Sequence, residues 1–215
     1  MSVLFFFVAI ADIFAVVTQN KTLEIIFKPL LVLSLIIIYF LSTKRVNIWL
    51  VAGLFFALIG DVFLLNQKKY FLFGVASFLI THVLYAKMTI DFIKDRSFTR
   101  IVLSLLPYLL YFLVIMYFIY NNLKDMLILV VGFGLVVSIF GSVALINYQK
   151  EKTKANLLLL LSATFFVILD GFIVLNIYND YNKILDFFAI LLYVSAQYLI
   201  VRAIILKDKS KEVIN

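Results

Sequence analysis

Three aspartates, Asp12, Asp61 and Asp170, lie inside the long apolar stretches of the chain, with no lysine or arginine at the same depth. An ionised acid in hydrocarbon is costly, so a carboxylate placed there marks a functional site by default. Two of them sit in similar surroundings, Gly60-Asp61-Val62-Phe63-Leu64-Leu65-Asn66 and Leu169-Asp170-Gly171-Phe172-Ile173-Val174-Leu175-Asn176. Two carboxyls sharing one low-dielectric site divide into a proton donor and an anion, the components of general acid–base chemistry. The plainer reading is that each is protonated and hydrogen-bonds a neighbouring helix. Asp12 is the weaker candidate, because the first helix could turn it toward the headgroups.

Around these acids stand further polar candidates. His82, the single imidazole, lies in Thr81-His82-Val83-Leu84-Tyr85 and suits a proton shuttle or a residue that orients an aspartate. A neutral histidine bridging two helices is the alternative. Tyr85 falls one turn away on the same face, and Gln197 and Tyr198 read as interhelical glue. Lys28-Pro29 opens the second apolar stretch, with the proline at a first helical position. Lys28 can hold a phospholipid headgroup or simply snorkel to the interface. Asn66 and Asn176 close their helices and join the candidate substrate-binding residues. With no cysteine and one histidine, thiolate chemistry and multi-imidazole metal sites are excluded, and no cofactor is expected.

The elements that must position these residues are membrane helices. The 215-residue chain is 65% hydrophobic and only 14% charged, with mean hydropathy +1.13. Soluble domains carry about 25% charged residues, so a water-soluble globule is ruled out. Apolar runs long enough to cross a hydrocarbon core of about 30 Å recur throughout. We read eight spans, approximately 2–18, 28–43, 47–65, 70–90, 101–120, 125–147, 155–177 and 186–206, giving an all-α polytopic bundle. The first lacks a basic flank and a cleavage site and is read as a retained helix. Residues 1–206 form one bundle domain and 207–215 a basic, frayed cytoplasmic tail. Connections are short, with only 19–27, 91–100 and 178–185 approaching ten residues.

The net charge of +7 is distributed as topology, and no nucleic-acid partner is expected. Thirteen basic residues (Lys44, Arg45, Lys87, Lys94, Arg96, Arg100, Lys150, Lys152, Lys154, Arg202, Lys207, Lys209 and Lys211) fall at the even-numbered connections and the C-terminus. Six (Lys21, Lys28, Lys68, Lys69, Lys124 and Lys183) fall on the other side. The positive-inside bias then places both termini in the cytoplasm, in a multi-pass protein expected in a bacterial inner membrane. Membrane lipids are its expected surroundings, and the oligomeric state is open.

Spans three and four resemble seven and eight: Phe55-Phe56-Ala57-Leu58-Ile59-Gly60-Asp61 is matched by Phe165-Phe166-Val167-Ile168-Leu169-Asp170. Both helices run outward, so a repeat would be parallel, four spans plus four. At about 1.5 Å rise per residue, Asp61 and Asp170 lie roughly 6 and 7.5 Å inside the outer boundary. Asp12 falls near the same level, and His82 and Gln197 lie deeper, near the midplane. The aspartates thus form a shelf above a second polar layer.

The ordered set Lys28-Pro29-Leu30, Gly60-Asp61, Phe73-Gly74 with His82 and Tyr85, Asp170 before Leu175-Asn176, and Gln197 resembles the YhhN family, which includes the animal lysoplasmalogenases. The resemblance runs from about residue 20 to 205. Gly171 departs from the pattern, where a Ser or Ala is expected after the aspartate. The resemblance implies an integral-membrane hydrolase that opens the vinyl ether of lysoplasmalogens, giving a fatty aldehyde and a glycerophospho-base. It also implies Asp61 and Asp170 as the catalytic pair and a lysophospholipid as substrate. The competing readings are a small proton-coupled transporter and a non-catalytic lipid-binding protein. Against the transporter stands the scarcity of helix interruptions, with two prolines and seven glycines in the chain.

Overall fold

The computed structural model of the chain describes the backbone of residues 2–93 and 98–214, and side chains over 3–93 and 99–210. Lys94 and Arg96, counted above in the charge bias, lie outside the described residues, as does the side chain of Lys211. Among the described residues, eight α-helices follow in order: α1 (Ser2–Val17), α2 (Lys21–Ser42), α3 (Ile48–Leu64), α4 (Gln67–Ile90), α5 (Phe98–Ile119), α6 (Leu127–Lys150), α7 (Lys154–Tyr178) and α8 (Lys183–Ile214). Two 3₁₀ turns, Tyr120–Asn122 and Lys124–Met126, join α5 to α6. Six helices, α2 and α4 to α8, are long and apolar enough to cross a membrane, while α1 and α3 are apolar but shorter.

Capping residues set several of the boundaries. Asn20 accepts from the backbone N–H of Leu23, Asn47 from those of Trp49 and Leu50, and Thr153 from that of Asn156. The Asn20 cap corrects the expected start of the second span. Helix α2 begins at Lys21, seven residues before Lys28, and Pro29 lies inside it and not at its first position. Proline there supplies no N–H to the carbonyl one turn back. The connection expected over 19–27 shrinks to 18–20, turned by Gln19 in the left-handed region with φ 55°. The α7–α8 connection likewise shortens to 179–182.

The C-terminal tail is also corrected. Helix α8 continues past 206 to Ile214, and Asp208 accepts hydrogen bonds from the Tyr39 and Thr43 hydroxyls, each at 3.2 Å. A polar anchor on the α2–α3 corner therefore holds the start of the segment expected to fray, at Asp208.

Six helices pack as a ring in the order α2, α3, α4, α6, α7, α8, with α8 returning to α2. Helix α1 lies against α2 and α8, and α5 against α6 and α7. Glycines permit the closest approaches. A Cβ on Gly53 would meet the Tyr85 ring at 2.3 Å, and one on Gly74 would meet Leu64 at 2.5 Å. Small residues at such seams are how membrane helices pack without a hydrophobic drive between them. The outside is apolar: Phe7, Ile10, Tyr117 and Ile128 are among many exposed large hydrophobics. In water such a surface would aggregate; against lipid it is the expected exterior.

Candidate functional site

One cavity of about 460 Å³ runs inside the ring, lined by residues from all eight helices. Its mouth lies at the end that carries the α1–α2, α3–α4 and α7–α8 connections, where Lys21, Glu24, Gln67, Tyr181 and Asp186 line it. Phe71, Val75, Phe112, Ile115, Val130 and Val174 give it apolar walls. Asp61, His82 and Asp170 contribute polar groups to its lining. Among the described residues, no group of three or more His, Asp or Glu side chains comes together as a metal-binding cluster would.

Asp61 comes from the last turn of α3 and is 1% exposed. Its Oδ2 accepts a hydrogen bond from the Tyr193 hydroxyl at 2.6 Å. Tyr193, on α8, receives the Gln197 amide N–H at 3.5 Å, and Gln197 Oε1 accepts from the Tyr85 hydroxyl at 3.1 Å. The network thus crosses from α4 through α8 to α3. Lys28, half-buried on α2, lines the same cavity.

Asp170 has a different environment. Its Oδ2 lies 3.7 Å from His82 Nε2, beyond hydrogen-bond length, and both atoms are buried without a hydrogen-bond partner. His82 Nδ1 lies 2.8 Å from the Phe78 carbonyl oxygen. The imidazole is packed among Phe133, Phe140 and Phe166, with ring centroids 5.0 to 6.3 Å away. Tyr111 donates to the Ile168 carbonyl at 3.0 Å, and its hydroxyl would lie 2.1 Å from a Cβ on Gly171. The glycine after Asp170 therefore makes room for Tyr111, which accounts locally for the residue that departs from the expected pattern.

Of the candidates read from the sequence, Lys28, Asp61, His82, Asp170 and Asn176 line the cavity. Asn176 directs its side chain to the α7–α8 turn, donating to the Asn182 carbonyl and accepting from the Asn182 N–H. Tyr85 and Gln197 sit behind Asp61 in the Tyr193 network and outside the lining. Asn66 is exposed in the α3–α4 turn. Asp12 is fully buried on α1 with neither oxygen hydrogen-bonded, and it does not line the cavity.

The level shelf of three acids above a deeper layer is thereby revised. Helix α7 runs to Tyr178, so Asp170 lies eight residues, about 12 Å, before its end, and Asp170 meets His82 of the deeper layer. Tyr193 went unread in the sequence. Its signal was its position four residues before Gln197, on the same face of α8.

Searches among curated proteins and among solved structures each gave no match. A family model, the YhhN family, matches residues 23–204, a stretch that holds Lys28, both cavity aspartates, His82 and Tyr193, and on that match the chain belongs to the YhhN family.

Proposed function

We propose that this protein is a membrane hydrolase that opens the vinyl ether of lysoplasmalogen-type lysophospholipids. The observation that carries the reading is that Asp61 and Asp170 line one cavity with apolar walls and a charged mouth. Family membership is consistent with a membrane hydrolase. An alkenyl chain would lie along the apolar walls, with Lys28 near the phosphate.

One aspartate gives its proton to the β-carbon of the vinyl ether, and the double-bond electrons form the new C–H bond. The α-carbon becomes an oxocarbenium ion beside the second aspartate, which is an anion. Water adds to that carbon as the anion takes one of its protons, giving a hemiacetal. That proton then passes to the ether oxygen, the C–O bond breaks, and the hydroxyl proton returns to the first aspartate as the aldehyde forms. Paired carboxylates flank a related cation in glycoside hydrolysis.

In this reading all eight helices cross a bacterial inner membrane, including α1 and α3. Both termini face the cytoplasm and the cavity mouth faces the opposite side. A parallel four-plus-four repeat is supported by the packing order, in which α2, α3 and α4 are followed around the ring by α6, α7 and α8.

The test is aldehyde release from lysoplasmenyl-ethanolamine by the purified protein in detergent. Asp61→Asn and Asp170→Asn should each lower kcat by about 10²-fold or more, the usual contribution of an acid–base group. A wild-type protein that folds, binds this lipid and releases no aldehyde would favour the transporter or lipid-binding readings. Full activity in both variants would sink the two-carboxylate chemistry even with the right substrate.

A further inference from the structure

We propose that the two aspartates are assigned unequal roles by their surroundings: Tyr193 is a positioning residue that holds Asp61 as the anion, and Asp170 carries the proton, facing His82. The protonation states rest on hydrogen-bond geometry, while their catalytic meaning rests on the hydrolase reading above.

The Asp61 side is a chain of donors with one sense. Tyr85 donates to Gln197 Oε1, so the N–H end of that amide faces Tyr193. The Tyr193 oxygen accepts from the amide, which leaves its single proton for Asp61. The resulting 2.6 Å contact falls in the range of O–H···O⁻ hydrogen bonds, about 2.5–2.7 Å. Tyr85 and Gln197 are fully buried and Tyr193 is nearly so, so little water competes for these contacts. Lys28 lines the same cavity from α2.

The Asp170 side offers no such donor. The Phe78 carbonyl can only accept, so His82 Nδ1 bears the hydrogen and Nε2 of the neutral ring is a bare lone pair. That lone pair faces Asp170 Oδ2, and the two unpartnered acceptors are reconciled by a proton on Asp170. Tyr111, the nearby phenol, directs its hydrogen to Ile168. Transfer of the proton to His82 would create a buried ion pair among Phe133, Phe140 and Phe166, whose rings cannot hydrogen-bond it.

A hydrophobic carbodiimide, which adds to protonated carboxyls, separates the two sites without any substrate. Mass spectrometry of the purified full-length protein at neutral pH should find Asp170 labelled at least about tenfold more than Asp61, because hydrogen bonds to the charged form keep Asp61 ionised. Tyr193→Phe removes one hydroxyl and should raise Asp61 labelling about tenfold while Asp170 labelling holds. Tyr85→Phe, one step further back, should move it in the same direction by less. The same Tyr193→Phe protein should lose kcat by about 10- to 100-fold with KM within about twofold, since an interaction with reacting groups is lost and not uniform binding. Preferential labelling of Asp61, or equal labelling, overturns the assignment, as does a Tyr193→Phe protein with unchanged labelling. Labelling as expected without aldehyde release would defeat the hydrolase reading and leave the assignment standing. Aldehyde release with even labelling would do the reverse.

Discussion

His82 shows how far a single side chain constrains the chemistry. Its ring is edge-on to Phe133 and Phe166, while its two nitrogens face a carbonyl and a carboxyl. His82→Phe keeps a ring in that aromatic cage and removes both nitrogen contacts. We expect a stability loss of about 1 kcal/mol for the missing hydrogen bond, and a fall in kcat of about tenfold as the Nε2 lone pair that faces the Asp170 proton is lost. A purely structural histidine would instead lower the melting temperature and leave kcat per folded molecule intact. Lys28 separates in the other direction. As a phosphate partner its loss in Lys28→Met should raise KM about tenfold, the worth of one charged hydrogen bond, with a smaller change in kcat. Steady-state kinetics on the two variants therefore distinguishes the reacting end of the cavity from its binding end.

At the scale of elements, the seams between helices hold the site in register. An alanine at Gly171 would place its Cβ 2.1 Å from the Tyr111 hydroxyl and 2.8 Å from Cζ, forcing α5 and α7 apart or breaking the bond to Ile168. Gly171→Ala should cost about 1–3 kcal/mol, typical of overpacking, and adding Tyr111→Phe should restore part of it by removing the oxygen. Gly132, where an added methyl would meet nothing within 4 Å, is the control: Gly132→Ala in α6 should be neutral or stabilising by up to about 1 kcal/mol. Thermal melts in one detergent compare all three. These seams also mark what could be read from the chain alone. Asp61, Asp170 and His82 stood out because a polar residue in a 65% hydrophobic sequence is conspicuous. Tyr193 did not, because among 12 tyrosines an inward-facing phenol looks the same as one anchoring the interface. The start of α2 was missed for a related reason: Lys21 and Glu24 looked like loop charges, whereas the Asn20 cap turns them into a first helical turn at the cavity mouth. The unequal partners of the two aspartates depend on contacts between helices far apart in sequence, such as Tyr193 with Asp61, and periodicity within one helix carries no record of them.

For the whole molecule, the direction in which the cavity opens follows from the path of the chain. The residues at the mouth lie at the ends of odd-numbered helices, at the starts of even-numbered ones or in the connections between them, as with Leu64, Gln67, Tyr178, Tyr181 and Asp186. The basic residues concentrate at the other end, at Lys44, Arg45, Lys150, Lys152 and Lys154. In the proposed orientation, drawn from the positive-inside bias, the mouth opens away from the cytoplasm, and the proposed lipid substrate would enter from the outer leaflet. The absence of cysteine lets single cysteines be placed without a background. In intact cells, a membrane-impermeant maleimide should label Lys68→Cys, in the first turn of α4, and Asn182→Cys, in the α7–α8 connection, both at the mouth end. It should label Arg45→Cys and Lys152→Cys only after the cells are opened. Labelling of Arg45→Cys in intact cells would invert the molecule and turn the mouth to the cytoplasmic leaflet, without altering the cavity or its aspartates. Accessibility of both sets would instead break the eight-span reading, and the two shorter helices, α1 and α3, are where it would fail first. Their 16 and 17 residues span only about 24–26 Å at helical rise, less than a hydrocarbon core of about 30 Å. Asp61 sits in the last turn of α3, at the mouth end of that short helix, and lines the cavity with only 1% of its surface exposed, so a failure of α3 to span would displace this carboxyl first.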